Sequence, residues 1–284
     1  MHQKIDIKYN SDSRLLKNDL LHVYLSLSGL LWAHANEHLK RYTGKESSKV
    51  PFFIGISGGV SVGKSTLSGS LQKMLSREEK RVALICTDSF LYPNAILEDK
   101  NLISKKGFPE SYNTPALLQC IQNIKNGNPI VKIPIYSHST YDILPGQETE
   151  IRQPDIVILE GVYVLQSRLQ QSKKTGTSLM DISIYVDAEE ESMEQWYLTR
   201  FLQLREEAKT RPDSFFYPYT LLAEEDALAR AREVWQTINL PNLHEHIQPF
   251  RDEADIIIHK TKEHQIDYIL TKFEIPDPLL DDGL

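Results

Sequence analysis

The chain has 284 residues, enough for one large domain or two small ones. Its 40% hydrophobic and 25% charged content is ordinary for a globular protein, and a net charge of −7 argues against a nucleic-acid or anionic-membrane surface. No apolar run approaches the ~18 residues of a membrane span. The first residues lack a signal core, and Cys86 and Cys120 lack metal-ligand spacing and fit a reducing compartment, so a cytoplasmic protein is expected.

Residues 15–42 carry apolar side chains at helical spacing, which predicts one or two helices, and 43–49 reads as a solvated connection. From residue 50 onward short apolar strands alternate with helices. A strand at 52–56 precedes a helix at 64–75, and a strand at 81–87 leads to Asp88. The next helix starts with Thr114 as N-cap and Pro115 in its first position, and Gly127 stands just past its end. Strands ending on Glu160 and Ala188, helices at 190–208 and 223–238, and a final strand at 254–259 complete the pattern. Wholly apolar strands between helices predict an α/β fold with a mostly parallel sheet covered on both faces. The expected organisation is one domain: an N-terminal helical segment 1–49, a core 50–265 and a flexible tail 273–284.

The stretch G-G-V-S-V-G-K-S-T comprises Gly58, Gly59, Val60, Ser61, Val62, Gly63, Lys64, Ser65 and Thr66. It fits the phosphate-binding loop pattern, with a strand before it and a helix after it. Glycines let backbone N–H groups wrap a phosphate chain, and the helix N-terminus adds partial positive charge. Lys64 supplies a full charge to the outer phosphates and Ser65 can reach Mg²⁺. ATP or GTP binding follows, but the loop alone does not name a reaction. No N-K-x-D base-reading loop is present, and no apolar strand ends in Asp-Glu, so neither a GTP switch nor a motor is favoured.

A small-molecule kinase needs a base, cations around the transferred group and an acceptor pocket. Asp88 and Glu160 follow apolar strands, at the sheet edge where ligands of parallel sheets sit. Asp88 can accept a hydroxyl proton and Glu160 can join a metal shell, although either could serve only as a turn residue. Arg200 falls within the stripe Met193, Trp196, Tyr197, Phe201 and Leu204, where a cation needs an anion, a ring or a route to water. Arg205, Glu206 and Glu207 read as a solvated helix end. Between Pro134 and Pro145, the cluster Y-S-H-S-T-Y-D is too polar for a buried strand and too aromatic for a solvated loop.

These segments, together with C-T-D-S-F-L-Y-P-N, K-K-G-F-P-E-S-Y, Q-W-Y-L-T-R-F-L and I-N-L-P-N-L, closely resemble the type I bacterial pantothenate kinases, which have a P-loop kinase fold. The similarity is collinear from about residue 21 to residue 260. The resemblance implies ATP-dependent phosphorylation of pantothenate with Mg²⁺, with Asp88 as base and Lys64 and Arg200 on the transferred phosphoryl. It implies Ser65 and Glu160 as metal ligands, His264 against adenine, and Tyr136, His138, Tyr141, Tyr197 and Asn239 around pantothenate. It further implies a homodimer inhibited by coenzyme A, whose thiol end would meet Tyr197, Phe201, Phe216 and Tyr219.

Three departures from the resemblance matter. Leu204 stands where the family often has an aromatic, Gly69 stands where familiar members carry an arginine, and the segment before the first helices is short. The first two predict weaker coenzyme A inhibition, and the third leaves adenine contacts from that segment open. The alternatives are a related P-loop kinase of uridine or phosphoribulokinase type, and a nucleotide-binding regulator without transfer activity.

Overall fold

Strands β2 (Phe52–Gly58), β3 (Val82–Cys86), β6 (Ile156–Glu160), β7 (Ile182–Ala188) and β8 (Ile256–Lys260) pair in parallel, as their short apolar runs predict. The coordinates are a computed structural model describing residues 2–6, 16–42, 50–76, 80–166 and 179–273. The connection 43–49 and the tail from residue 274 lie outside the described residues. The sheet order is β1-β9-β8-β7-β2-β6-β3, with β1 (Gln3–Asp6) and β9 (Ile266–Thr271) antiparallel at one edge. These two strands were not expected: the strand at 254–259 is not the last, and the N-terminal segment is not purely helical.

Side-chain alternation builds a core on each face of the sheet. Ile54, Ile56, Ile156 and Ile158 join the cluster beneath α1 (Leu16–Tyr42) and α2 (Lys64–Leu75), with Leu31 and Leu71. Phe53, Val157 and Leu159 turn the other way, toward Leu117, Ile121 and Ile124 of α4 (Thr114–Lys125), which follows the short α3 (Asn94–Asp99). Residues of period two on a twice-covered strand must all be apolar, which is why these strands read as continuous runs. The α4 cap differs from expectation. Asn113 is the N-cap, its side chain accepting from the Ala116 N–H, and Thr114 already begins the helix. Asparagine out-competes threonine there because its amide oxygen reaches the orphan N–H from outside the helix.

The aromatic cluster lies in a separate hairpin of β4 (Val131–Ser137) and β5 (Asp142–Ile151), which the sequence pattern did not suggest. Pro134 cannot donate to the ladder, and the register shifts between Pro134 and Tyr136. Tyr141 adopts a left-handed φ of 54° at the turn.

After β7, the chain forms α5 (Glu190–Ala208), a single turn α6 (Tyr217–Thr220) and α7 (Glu224–Val234). Helical winding then continues through two π-type segments, Trp235–Asn239 and Leu243–Ile247, on either side of Pro241. Proline removes an N–H and crowds the carbonyl four residues back, and a widened turn relieves both. The first widened turn carries Asn239, and the ordinary turn between the two carries Asn242, to the wall of one cleft.

Candidate active site

The loop after β2 has the geometry of a phosphate cradle. Gly58 and Gly63 take φ values of 144° and 99°, and a Cβ on Gly58 would lie 2.2 Å from the Val186 carbonyl oxygen. Ser61, at φ 62°, is the one non-glycine in a left-handed conformation in the loop. Lys64 Nζ donates to the Gly59 carbonyl at 2.6 Å, which folds its side chain back over the loop. Burial lowers its pKa, against the opposing pull of the Glu160 and Asp88 carboxylates.

The ends of β3 and β6 deliver the two acids beside this loop. Ser65 Oγ donates to Glu160 Oε1 at 3.0 Å, joining the first turn of α2 to the end of β6. Asp88 sits in a 3₁₀ turn, Thr87–Phe90, just beyond β3 rather than on the strand. Tyr112 donates to Asp88 Oδ1 at 3.2 Å. The strand ends approach closely because Gly161 lacks a side chain: a Cβ there would lie 1.7 Å from Thr87 Oγ1. Gly161→Ala must therefore push the Thr87–Phe90 turn away. We expect it to lower unfolding free energy by about 2 kcal/mol, measured by urea denaturation, and to reduce turnover through displaced Asp88.

Two clefts flank the loop. The first, about 560 Å³, is lined by Lys64, Ser65, Thr66, Trp196, Lys260 and His264, among others. His264 stacks on Trp196 with centroids 4.1 Å apart, so one imidazole face is taken by the indole. Burial and the nearby Lys260 lower the His264 pKa. Lys260 donates to the Val62 carbonyl at 3.0 Å and lies over the Trp196 ring, and burial pushes its pKa down to about 8. Tyr24 of α1 closes this cleft from the N-terminal side.

The second cleft, about 310 Å³, collects Asp88 with all five expected acceptor residues, Tyr136, His138, Tyr141, Tyr197 and Asn239. Phe201, Leu204, Phe216 and Tyr219 line its far end. Tyr136 makes edge contacts with His138 and Tyr141 at 5.2 and 6.2 Å, and Tyr141 stacks on Phe215 at 4.8 Å. Desolvation raises the Tyr136 pKa strongly and the Tyr141 pKa to about 12, so both hydroxyls keep their protons. His138 stays open to solvent on one side, yet partial desolvation lowers its pKa and favours the neutral ring.

Two helix assignments change. Arg200 was placed in the apolar stripe of its helix, but α5 leaves it exposed at the border of both clefts, with no ion pair to a described carboxylate. The stripe itself continues through buried Phe201 and Ala208, with Leu204 packed against them, and Arg200 lies beside it where clefts replace packing. Arg205 is not a solvated helix end. It donates to the carbonyls of Tyr219 and Leu222 at 2.9 and 2.8 Å, pinning the segment that walls the second cleft.

Sequence reasoning missed Tyr24, Lys106, Tyr112, Trp196, Asn242 and Lys260. Lys106 is buried, donates to Asn94 Oδ1 at 2.6 Å and to the Tyr141 carbonyl, and lies over the Tyr141 ring. Burial pushes its pKa down to about 8, with Asp142 and Asp88 pulling it back. The K-K-G-F-P-E-S-Y segment was the available signal for Lys106 and Tyr112. Q-W-Y-L-T-R-F-L and I-N-L-P-N-L were the available signals for Trp196 and Asn242. Tyr24 and Lys260 lie in none of these segments, and each reaches the clefts from a separate element.

A strand-loop-helix phosphate cradle at the carboxyl edge of a parallel sheet, with two acids and a second cleft beside it, defines a P-loop phosphotransferase acting on a small acceptor. A profile of the Phosphoribulokinase / Uridine kinase family matches residues 53–207. Pantothenate kinases of Cutibacterium acnes and Sinorhizobium fredii are 46% and 48% identical, over 87% and 85% of this chain and 77% of each relative. The fold is also that of a D-glycerate 3-kinase from Cryptococcus neoformans, with TM-score 0.61 at 14% identity, covering 86% of this chain and 97% of that one. The chain belongs to the pantothenate kinases, within the phosphoribulokinase and uridine kinase family.

Proposed function

We propose that ATP occupies the first cleft and pantothenate the second, with the γ-phosphoryl crossing where Ser61 and Arg200 line both. That shared border carries the reading, because in-line transfer needs donor and acceptor facing each other across one short gap. The reaction is ATP-dependent phosphorylation of pantothenate to 4'-phosphopantothenate, the first step of coenzyme A biosynthesis. Loop N–H groups and the α2 N-terminus hold the phosphates, and Lys64 and Arg200 neutralise the transferred group. Asp88 takes the proton of the primary hydroxyl. His264, backed by Trp196, offers its free face to adenine. Tyr136, His138, Tyr141, Tyr197 and Asn239 surround pantothenate with hydroxyl and amide groups on an aromatic wall.

The chemistry of Ser65 and Glu160 fits Mg²⁺: a hydroxyl and a carboxylate already 3.0 Å apart, both hard oxygen donors, beside the phosphate cradle. When bound, the ion supplies positive charge to the outer phosphates.

Coenzyme A is the proposed inhibitor, competing with ATP and placing its thiol end among Phe201, Phe216 and Tyr219. A Cβ on Gly69 would meet nothing within 4 Å, so no side chain reaches for the inhibitor's phosphates there. Gly69→Arg is expected to tighten coenzyme A inhibition about tenfold at unchanged kcat, read from inhibition constants against ATP. His138→Gln should weaken that inhibition more than it lowers turnover; the reverse order would place His138 in the transfer step. Among the described residues no helix is long and apolar enough to cross a membrane. The family resemblance supports a cytoplasmic homodimer, which sedimentation velocity would check.

The test of the whole reading is an ADP-release panel with pantothenate, uridine and ribulose 5-phosphate, each with and without coenzyme A. Pantothenate should be preferred by at least about 10³-fold in kcat/KM, since unmatched polar groups in a buried site reject the wrong acceptor. Equal or better turnover of uridine would overturn it.

A further inference from the structure

We propose that Tyr112 is a positioning residue for phosphoryl transfer: its hydroxyl engages one oxygen of Asp88 and thereby assigns the other to the acceptor. Tyr112 donates to Asp88 Oδ1 at 3.2 Å, and Oδ2 has no hydrogen-bond partner among the described residues. An ionised carboxylate presents two equivalent oxygens and can rotate about its Cβ–Cγ bond. Holding one of them by a neutral donor leaves a single oxygen in a defined direction for the incoming hydroxyl.

The donor is built to stay in place. The Tyr112 ring is buried at 5% exposure and stacks on buried Tyr163, with centroids 5.3 Å apart and planes 23° from parallel. Its backbone is zipped to the segment carrying the acid. Leu91 and Tyr112 form an isolated antiparallel bridge, Tyr92 N donates to the Ser111 carbonyl at 2.9 Å, and Asn113 N donates to the Phe90 carbonyl at 2.7 Å. Donor and acid therefore move as one unit. Burial, reinforced by the Asp88 charge, raises the phenol pKa well above its ordinary value, so the hydroxyl remains a donor throughout the working pH range. Tyr112 also lines the second cleft beside Asp88. A phenylalanine would satisfy the stack and the burial equally; among the described residues the hydroxyl has one hydrogen-bond partner, Asp88.

The proposal rests on the assignment of Asp88 as base, and the experiment separates the two. Rapid-quench single turnovers with ATP and pantothenate are measured for the parent, Tyr112→Phe, Asp88→Asn and the double variant, with thermal melts of each. Tyr112→Phe should slow transfer about tenfold, with pantothenate affinity within about twofold and an unchanged melting temperature. In the Asp88→Asn background it should have no further effect, because the oxygen it holds is no longer the base. Unchanged transfer in Tyr112→Phe, or a full tenfold loss on top of Asp88→Asn, would overturn the positioning role. Parent-like transfer in Asp88→Asn alone would instead remove the base assignment. A Tyr112→Phe melt lowered together with affinity and rate would assign the hydroxyl to stability and also sink the proposal.

Discussion

Asp88→Asn is expected to lower kcat by about 10³-fold while leaving the ATP dissociation constant within about twofold. Asparagine is nearly isosteric and keeps an oxygen for the Tyr112 hydroxyl, so the turn Thr87–Phe90 and its bridge to the K-K-G-F-P-E-S-Y segment should survive. What disappears is a group able to take the hydroxyl proton as the oxygen attacks phosphorus. ATP should be little affected because Asp88 lines the second cleft, proposed for the acceptor, and not the first, proposed for ATP. Isothermal titration with a non-hydrolysable ATP analogue, alongside steady-state kinetics, checks both halves. Normal turnover would mean that another group or water takes the proton, and the base assignment would fall.

The second large effect belongs to Arg200. Arg200→Ala should reduce kcat about 10³-fold, equivalent to about 4 kcal/mol of transition-state stabilisation, with no loss of thermal stability. The stability half follows from its surroundings: the side chain is exposed and pairs with no described carboxylate, so its removal strands no buried charge. The rate half follows from its position at the border of both clefts, where negative charge accumulates on the equatorial oxygens during transfer. Arg200→Lys should recover only part of the rate, because a point charge cannot bridge two oxygens as a guanidinium does. A variant that unfolds at lower temperature while turning over normally would return Arg200 to a structural role.

The two acids illustrate how far local pattern reaches. Each follows an apolar run, and a parallel sheet places such run ends at one edge, so their proximity to the loop was readable from spacing alone. Their actual approach depends on Gly161 and Thr87, whose near contact no linear motif encodes. Arg200 shows the opposite case: helical periodicity assigned it to the apolar stripe, and only the position of a cleft beside α5 leaves it in solvent. The aromatic cluster was recognisable by composition, but its hairpin was not, because Pro134 and the bulge beside it break the alternation that signals a strand. The antiparallel edge pair was equally hidden. Gln3–Asp6 is too short to show a period, and it becomes a strand only because β9 offers an open edge.

By itself the sequence determined the phosphate loop, the parallel α/β architecture and the family. These follow from local rules: glycine conformational freedom, strand and helix periodicity, and fixed spacing between a loop and its lysine. Tertiary structure alone decided which side chains share a cleft. Tyr112 meets Asp88 across 24 positions, Ser65 meets Glu160 across 95, and Lys260 meets Val62 across 198. Contacts at such separations depend on how the sheet orders its strands and where a proline widens a helix, and no window of neighbouring residues contains that information.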